Sequence, residues 1–122
     1  MSTDSTRDAT ILVIDDERVV RDMLSTALER FGYSVLVAPD GRAGLDLYRE
    51  RGEEVSLVLL DLCMPGLSGV EVLAQLREMD PQLRVAVLTG YVEEYQVPND
   101  VELVYKPFSL DELVDLVRRL LR

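Results

Sequence analysis

Three short runs in this chain are apolar at every position, and each ends abruptly on an acid or a hydroxyl. Ile11–Ile14 stops at Asp15-Asp16, Leu57–Leu60 stops at Asp61, and Val85–Leu88 stops at Thr89. A strand with one wet face alternates polar and apolar residues. A run without alternation belongs to a strand covered on both faces, as in a parallel sheet sandwiched between helices. The stretches between the runs have helical rather than strand periodicity, so strand and helix alternate along the chain and βαβ units are implied.

The pattern places strands at Thr10–Ile14, Tyr33–Ala38, Val55–Leu60, Arg84–Leu88 and Glu102–Tyr105. Residues 17–31 carry Val20, Met23, Leu24, Ala27, Leu28 and Phe31 at helical spacing, with Gly32 as the stop. Further helices are expected over Gly41–Arg51, over Val70–Met79 ending at Asp80-Pro81, and, weakly, around Val92–Tyr95. Ser109 with Glu112 three residues on forms a capping-box pattern for a last helix, whose buried stripe would be Leu110, Leu113, Val114, Val117 and Leu121. The expected architecture is a single doubly wound (βα)5 domain, a parallel five-stranded sheet in the order 2-1-3-4-5, over residues 10–122. Residues 1–9, polar in all but a few positions, read as a disordered tail.

The 122 residues suffice for one core without disulfides, and the single cysteine, Cys63, allows no intrachain bridge, which suits a cytoplasmic setting. A net charge of -10 without a basic stripe argues against direct nucleic-acid binding by this domain. No apolar stretch approaches the roughly 20 residues of a spanning helix, so no membrane association is expected.

Open α/β sheets bind ligands at the carboxyl ends of their strands. The reading above puts Asp15 and Asp16, Asp61, Thr89 and Lys106 at that one edge. Each has an ordinary explanation alone: Asp15, Asp16 and Glu17 as helix-start acids, Asp61 as a turn former, Thr89 as a cap, Lys106 as a surface charge. Together they are harder to explain that way, because three buried carboxylates need a cation. Three aspartates against one lysine leave a local charge near minus two, which Mg²⁺, a hard oxygen-seeking ion, would balance. A phosphoryl group on Asp61 would then be flanked by metal, ammonium and hydroxyl, the electrostatic setting that phosphoryl transfer requires.

Asp15-Asp16, the run Leu59–Gly66 with Ser68-Gly69, the turn Leu88-Thr89-Gly90 and Lys106-Pro107-Phe108 resemble bacterial response-regulator receivers, over about Ile11 to Leu121. The resemblance implies Asp61 as phospho-acceptor, Asp16 as direct Mg²⁺ ligand, Asp15 acting through metal-bound water, and the Cys63 backbone carbonyl as a further ligand. It implies Thr89 as the hydroxyl that follows the phosphoryl group, Lys106 as its ammonium partner, and a cis peptide before Pro107. It also implies a histidine kinase or phosphotransfer protein as donor and a protein-docking surface as output. The downstream target stays open, as does whether the chain acts alone, in a hybrid kinase or in a longer regulator.

Some positions depart from the family pattern. The aromatic usual three residues before the lysine is Leu103 here, and Tyr105 shares its strand face by the two-residue period. The segment between Thr89 and Lys106 is short and contains Pro98, which puts the usual dimer in doubt, so a monomer or weak dimer is expected. Tyr91, two residues after Thr89, is expected to hinder attacking water. A haloacid-dehalogenase-like hydrolase would want a second aspartate two residues after the first, where Glu17 and Cys63 stand. A flavodoxin-like module would want a phosphate loop after the first strand. A pseudo-receiver would be expected to lack the acceptor or the lysine.

Overall fold

A computed structural model describes residues 9–90 and 97–122. The elements are β1 (Thr10–Ile14), α1 (Arg18–Arg30), β2 (Ser34–Ala38), α2 (Gly41–Arg51), a 3₁₀ turn (Gly52–Glu54), β3 (Val55–Asp61), α3 (Gly69–Met79), β4 (Val85–Thr89), β5 (Glu102–Tyr105) and α4 (Leu110–Leu120). The sheet is parallel throughout, in the order β2-β1-β3-β4-β5. The doubly wound fold expected from the apolar runs is the observed one. The helical candidate at Val92–Tyr95, Tyr91 and residues 1–8 of the expected tail lie outside the described residues. Ala9, at the end of that tail, accepts a backbone hydrogen bond from Ser34 N at 3.0 Å.

Strand alternation divides the apolar residues into two layers. Leu12, Ile14, Val58, Leu60, Val85 and Val87 face Leu45 and Tyr48 of α2 and Val72, Leu73 and Leu76 of α3. Ile11, Val13, Leu57, Leu59, Ala86 and Leu88 face Leu24 and Leu28 of α1 and Leu113, Val114 and Val117 of α4. Residues 11–14 and 57–60 are wholly buried, which is why their sequence tolerates no polar alternation. Each buried leucine contributes roughly 2 kcal/mol from its removal from water. Three residues of the expected helix stripes do not join these layers: Met23, Phe31 and Leu110 are exposed. The first and last lie at the rim of the layer, and Phe31 follows the last turn of α1, where Arg118 stacks over its ring.

Side-chain caps hold the starts of α2, α3 and α4, the last of them at the Ser109 that the sequence indicates. Asp40 accepts from Ala43 N at the head of α2, and Ser68 and Glu71 form a reciprocal capping box on α3. Ser109 accepts from Glu112 N at the head of α4.

Candidate phosphoryl and metal site

Register brings the polar strand ends together. Ile14 pairs with Leu60, so the next residues, Asp15 and Asp61, emerge side by side. Asp61 pairs with Leu88 and Thr89 with Tyr105, so Thr89 and then Lys106 follow at the same edge. All five residues singled out in the sequence stand at this edge, with Asp15, Asp61 and Thr89 buried and Asp16 exposed.

One carboxylate oxygen from each of Asp15, Asp16 and Asp61 lies within 4.8 Å of the others. Lys106 Nζ donates to Asp15 Oδ2 at 3.0 Å and to Glu17 Oε1 at 3.1 Å, and stands 3.5 Å from Asp61 Oδ2. Asp61 Oδ1 accepts from the Cys63 amide at 3.0 Å. Asp15 Oδ1 accepts from the Glu17 amide at 2.9 Å, while the Asp15 carbonyl accepts from Arg21 Nη1 at 2.9 Å. Cys63 Sγ lies 3.8 Å from Thr89 Oγ1. The Thr89 carbonyl accepts the Lys106 amide at 2.8 Å, which ties the end of β4 to the residue that carries the ammonium. The Lys106-Pro107 peptide is cis, as the resemblance implies.

The loop between Asp61 and α3 is shaped by two glycines. Gly66 has φ +79°, a left-handed conformation that side chains disfavour. A Cβ on Gly69 would overlap the Leu62 Cα and the Asp61 carbonyl oxygen. Glycine there lets α3 begin directly against the end of β3, where the Gly69 amide donates to the Leu62 carbonyl at 3.2 Å.

Electrostatically the edge is short of positive charge. Burial pushes the Asp61 carboxyl up to about 6. The Cys63 amide and Lys106 oppose that rise, and the charge of Asp15 and a hydrogen bond with Asp16 add to it. Burial alone would pull the Lys106 ammonium down, but Asp15, Asp61 and Glu17 outweigh it and hold the ammonium above its usual range. The sole lysine of the chain thus faces the carboxyl groups of Asp15, Glu17 and Asp61, with Asp16 grouped beside two of them. A hard divalent cation fits this donor set, because it would supply charge that Lys106 alone does not.

Sequence reasoning missed the second role of Glu17, whose side chain leaves the helix start and crosses to Lys106. The ordinary reading of an acid at a helix start concealed it, and the spacing of two residues from Asp15 was the only available signal. Of the two residues that share a face of β5, Leu103 packs against the first apolar layer and Tyr105 is 52% exposed. Tyr105 lies last on an edge strand, where less of the fold covers it.

Known proteins resemble this chain in sequence and in fold. The family model described as response regulator receiver domain matches residues 11–118. The chain is 41% identical over 120 residues to the uncharacterized transcriptional regulatory protein YkoG of Bacillus subtilis, covering 92% of this chain and 50% of that protein. It is 34% identical over 116 residues to sporulation initiation phosphotransferase F of the same organism, covering 91% and 92% respectively. The chain therefore spans half the length of one relative and nearly all of the other. The structure of response regulator TrrA from Thermotoga maritima in complex with Mg²⁺-BeF superposes with a TM-score of 0.79 at 32% identity, over 92% of this chain and 98% of that one. Among the described residues no helix is long and apolar enough to cross a membrane.

Proposed function

This chain belongs to the response-regulator receiver family, and from that premise we propose that Asp61 accepts a phosphoryl group from the phosphohistidine of a histidine kinase or phosphotransfer protein. The observation that supports it most is the convergence of Asp15, Asp16 and Asp61 with Lys106 at one strand edge. In the transfer, an Asp61 carboxylate oxygen bonds to phosphorus as the phosphorus–nitrogen bond to the donor imidazole breaks, and the imidazole leaves with that electron pair. An acceptor with a pKa of about 6 is largely ionised above neutrality, as a nucleophile must be.

Lys106 is placed to neutralise a phosphoryl oxygen as charge spreads over the group, and the buried Thr89 hydroxyl is placed to donate to another. The Cys63 amide orients the acceptor by holding one of its oxygens. Receivers as a family bind Mg²⁺. Asp15, Asp16, Asp61 and the Cys63 carbonyl are the groups that would hold it here, where it would supply further neutralisation of the phosphoryl oxygens.

The output is a change of surface. Drawing Thr89 toward the new anion pulls the end of β4, and the hydrogen bond from Lys106 N to the Thr89 carbonyl carries that pull to the segment after β5. The phosphoryl group thereby biases an equilibrium between two arrangements of the β4, β5 and α4 surface that a partner protein reads. Whether that reader is a further domain, as the length of YkoG relative to this chain suggests, or a separate phosphotransfer protein depends on the parent protein.

Incubation with Mg²⁺ and acetyl phosphate should add one acid-stable, alkali-labile phosphoryl group, detected by intact mass, and Asp61→Asn should abolish the addition. Addition that persists in the Asn variant would overturn the assignment.

A further inference from the structure

Glu17 is the N-cap residue of α1, where an acid ordinarily turns back onto the helix amides or projects into water. It does neither. Its side chain makes no capping bond, and although 60% exposed, it reaches Lys106 Nζ at 3.1 Å. Its own amide is held by Asp15 Oδ1. One pocket acid thus fixes the Glu17 backbone while the pocket cation holds its side chain.

An ammonium has three N–H donors. Two of those on Lys106 are engaged by Asp15 and Glu17, and Asp61 lies further off at 3.5 Å. The two engaged partners differ in what release costs them. Asp15 is wholly buried and could not rehydrate if Lys106 left it. Glu17 is largely solvated, so water can replace the ammonium at little cost. Glu17 is therefore the exchangeable partner.

We propose that Glu17 is a positioning residue that restrains Lys106 in the resting protein, competing with the incoming phosphoryl group for that ammonium and slowing phosphorylation of Asp61. The inference rests on the reading of Asp61 as phospho-acceptor. With acetyl phosphate as donor, the phosphorus–oxygen bond to the acyl group breaks, acetate leaves with the electron pair, and the Asp61 oxygen–phosphorus bond forms with no proton transferred. A Lys106 N–H is needed on the phosphoryl oxygens during that passage, and Glu17 must give up its share.

The test compares wild type with Glu17→Gln, Glu17→Asp and, as control, Asp22→Asn, an exposed α1 acid that pairs with Arg18 at 3.6 Å. Glu17→Gln should raise the rate of phosphoryl addition from acetyl phosphate with Mg²⁺ by about three- to tenfold, the scale of one exposed charge-assisted hydrogen bond. Glu17→Asp keeps the charge but shortens the reach, and should recover most of that gain. Asp22→Asn should match wild type. Because Lys106 is the only lysine, protein labelled with ¹³Cε-lysine gives one side-chain signal. That signal should shift in both Glu17 variants and not in Asp22→Asn, before any donor is added. If wild type takes no phosphoryl group on Asp61, the functional reading fails, while the lysine signal still reports the restraint. If wild type is phosphorylated and Glu17→Gln is no faster, the inference is overturned. It is equally overturned if Glu17→Gln is faster but Glu17→Asp matches wild type, because charge alone would then explain the gain.

Discussion

The centre of the sheet and its β5 edge contribute opposite things to the same pocket. β1 and β3 carry the aspartates, directly behind residues 11–14 and 57–60, none of which has any exposed surface. β5 is only half-buried along Glu102–Val104 and ends on an exposed Tyr105, yet it delivers the one ammonium. β4 lies between them, wholly within the core, and ends in the buried hydroxyl of Thr89. The acids are therefore anchored where the packing resists movement, and the cation comes from an edge of the sheet that is less covered. A pocket built this way can keep its charge-binding groups still while the group that responds to added charge shifts.

The most severe challenge to this division is Lys106→Met, which keeps length and removes charge. Phosphoryl addition from acetyl phosphate should fall by about two to three orders of magnitude, with the fold intact by circular dichroism. A loss below tenfold would mean that the edge cation is dispensable and that the central acids suffice. Next comes a paired truncation read by urea unfolding. Leu59→Ala, in the wholly buried centre, should cost about 4 kcal/mol, and Leu103→Ala, on the half-buried edge, about 1 kcal/mol. Equal costs would remove the mechanical contrast.

The smallest effect concerns the acids themselves. The folded-state pKa of Asp61, about 6, lies above its ordinary 3.8, so the folded chain holds this proton more tightly than the unfolded one. The resulting stabilisation is complete below the ordinary value and is lost as pH rises through about 6. In metal-free buffer at pH 7.5, Asp61→Asn should thus be more stable than wild type by about 2–3 kcal/mol, and the difference should close on acidification toward pH 4. Added Mg²⁺ should raise the melting temperature of wild type more than that of the Asn variant. A gap that widened on acidification would contradict the environment assigned to Asp61.

The same contrast explains what could be read in advance. Where a strand is buried on both faces, as in Ile11–Ile14, every apolar position is needed by the core, and the strand ends are written in the chain to within one residue. Asp15, Asp61 and Thr89 were legible because each ends such a run, and Lys106 because it follows the last strand at the same edge. Helix stripes were less so. Periodicity assigns Met23 and Leu110 to the core as readily as Leu24 and Leu113, because it indicates which face an element turns inward and not how far the neighbouring layer extends. Glu17 was the least legible. Its contact with Lys106 joins residues 89 positions apart, and only strand register brings them together.

Gly69 has a consequence for how the chain can be altered. β3 and α3 meet there with no room for a side chain, and the span between Leu62 and Gly69 is closed by its own backbone bond. The length of that span is a fixed dimension of the domain. Residues inserted into it would push Asp61 out of line, whereas the exposed stretch at Pro81-Gln82 offers a place where a tag or reporter can be spliced without disturbing the pocket.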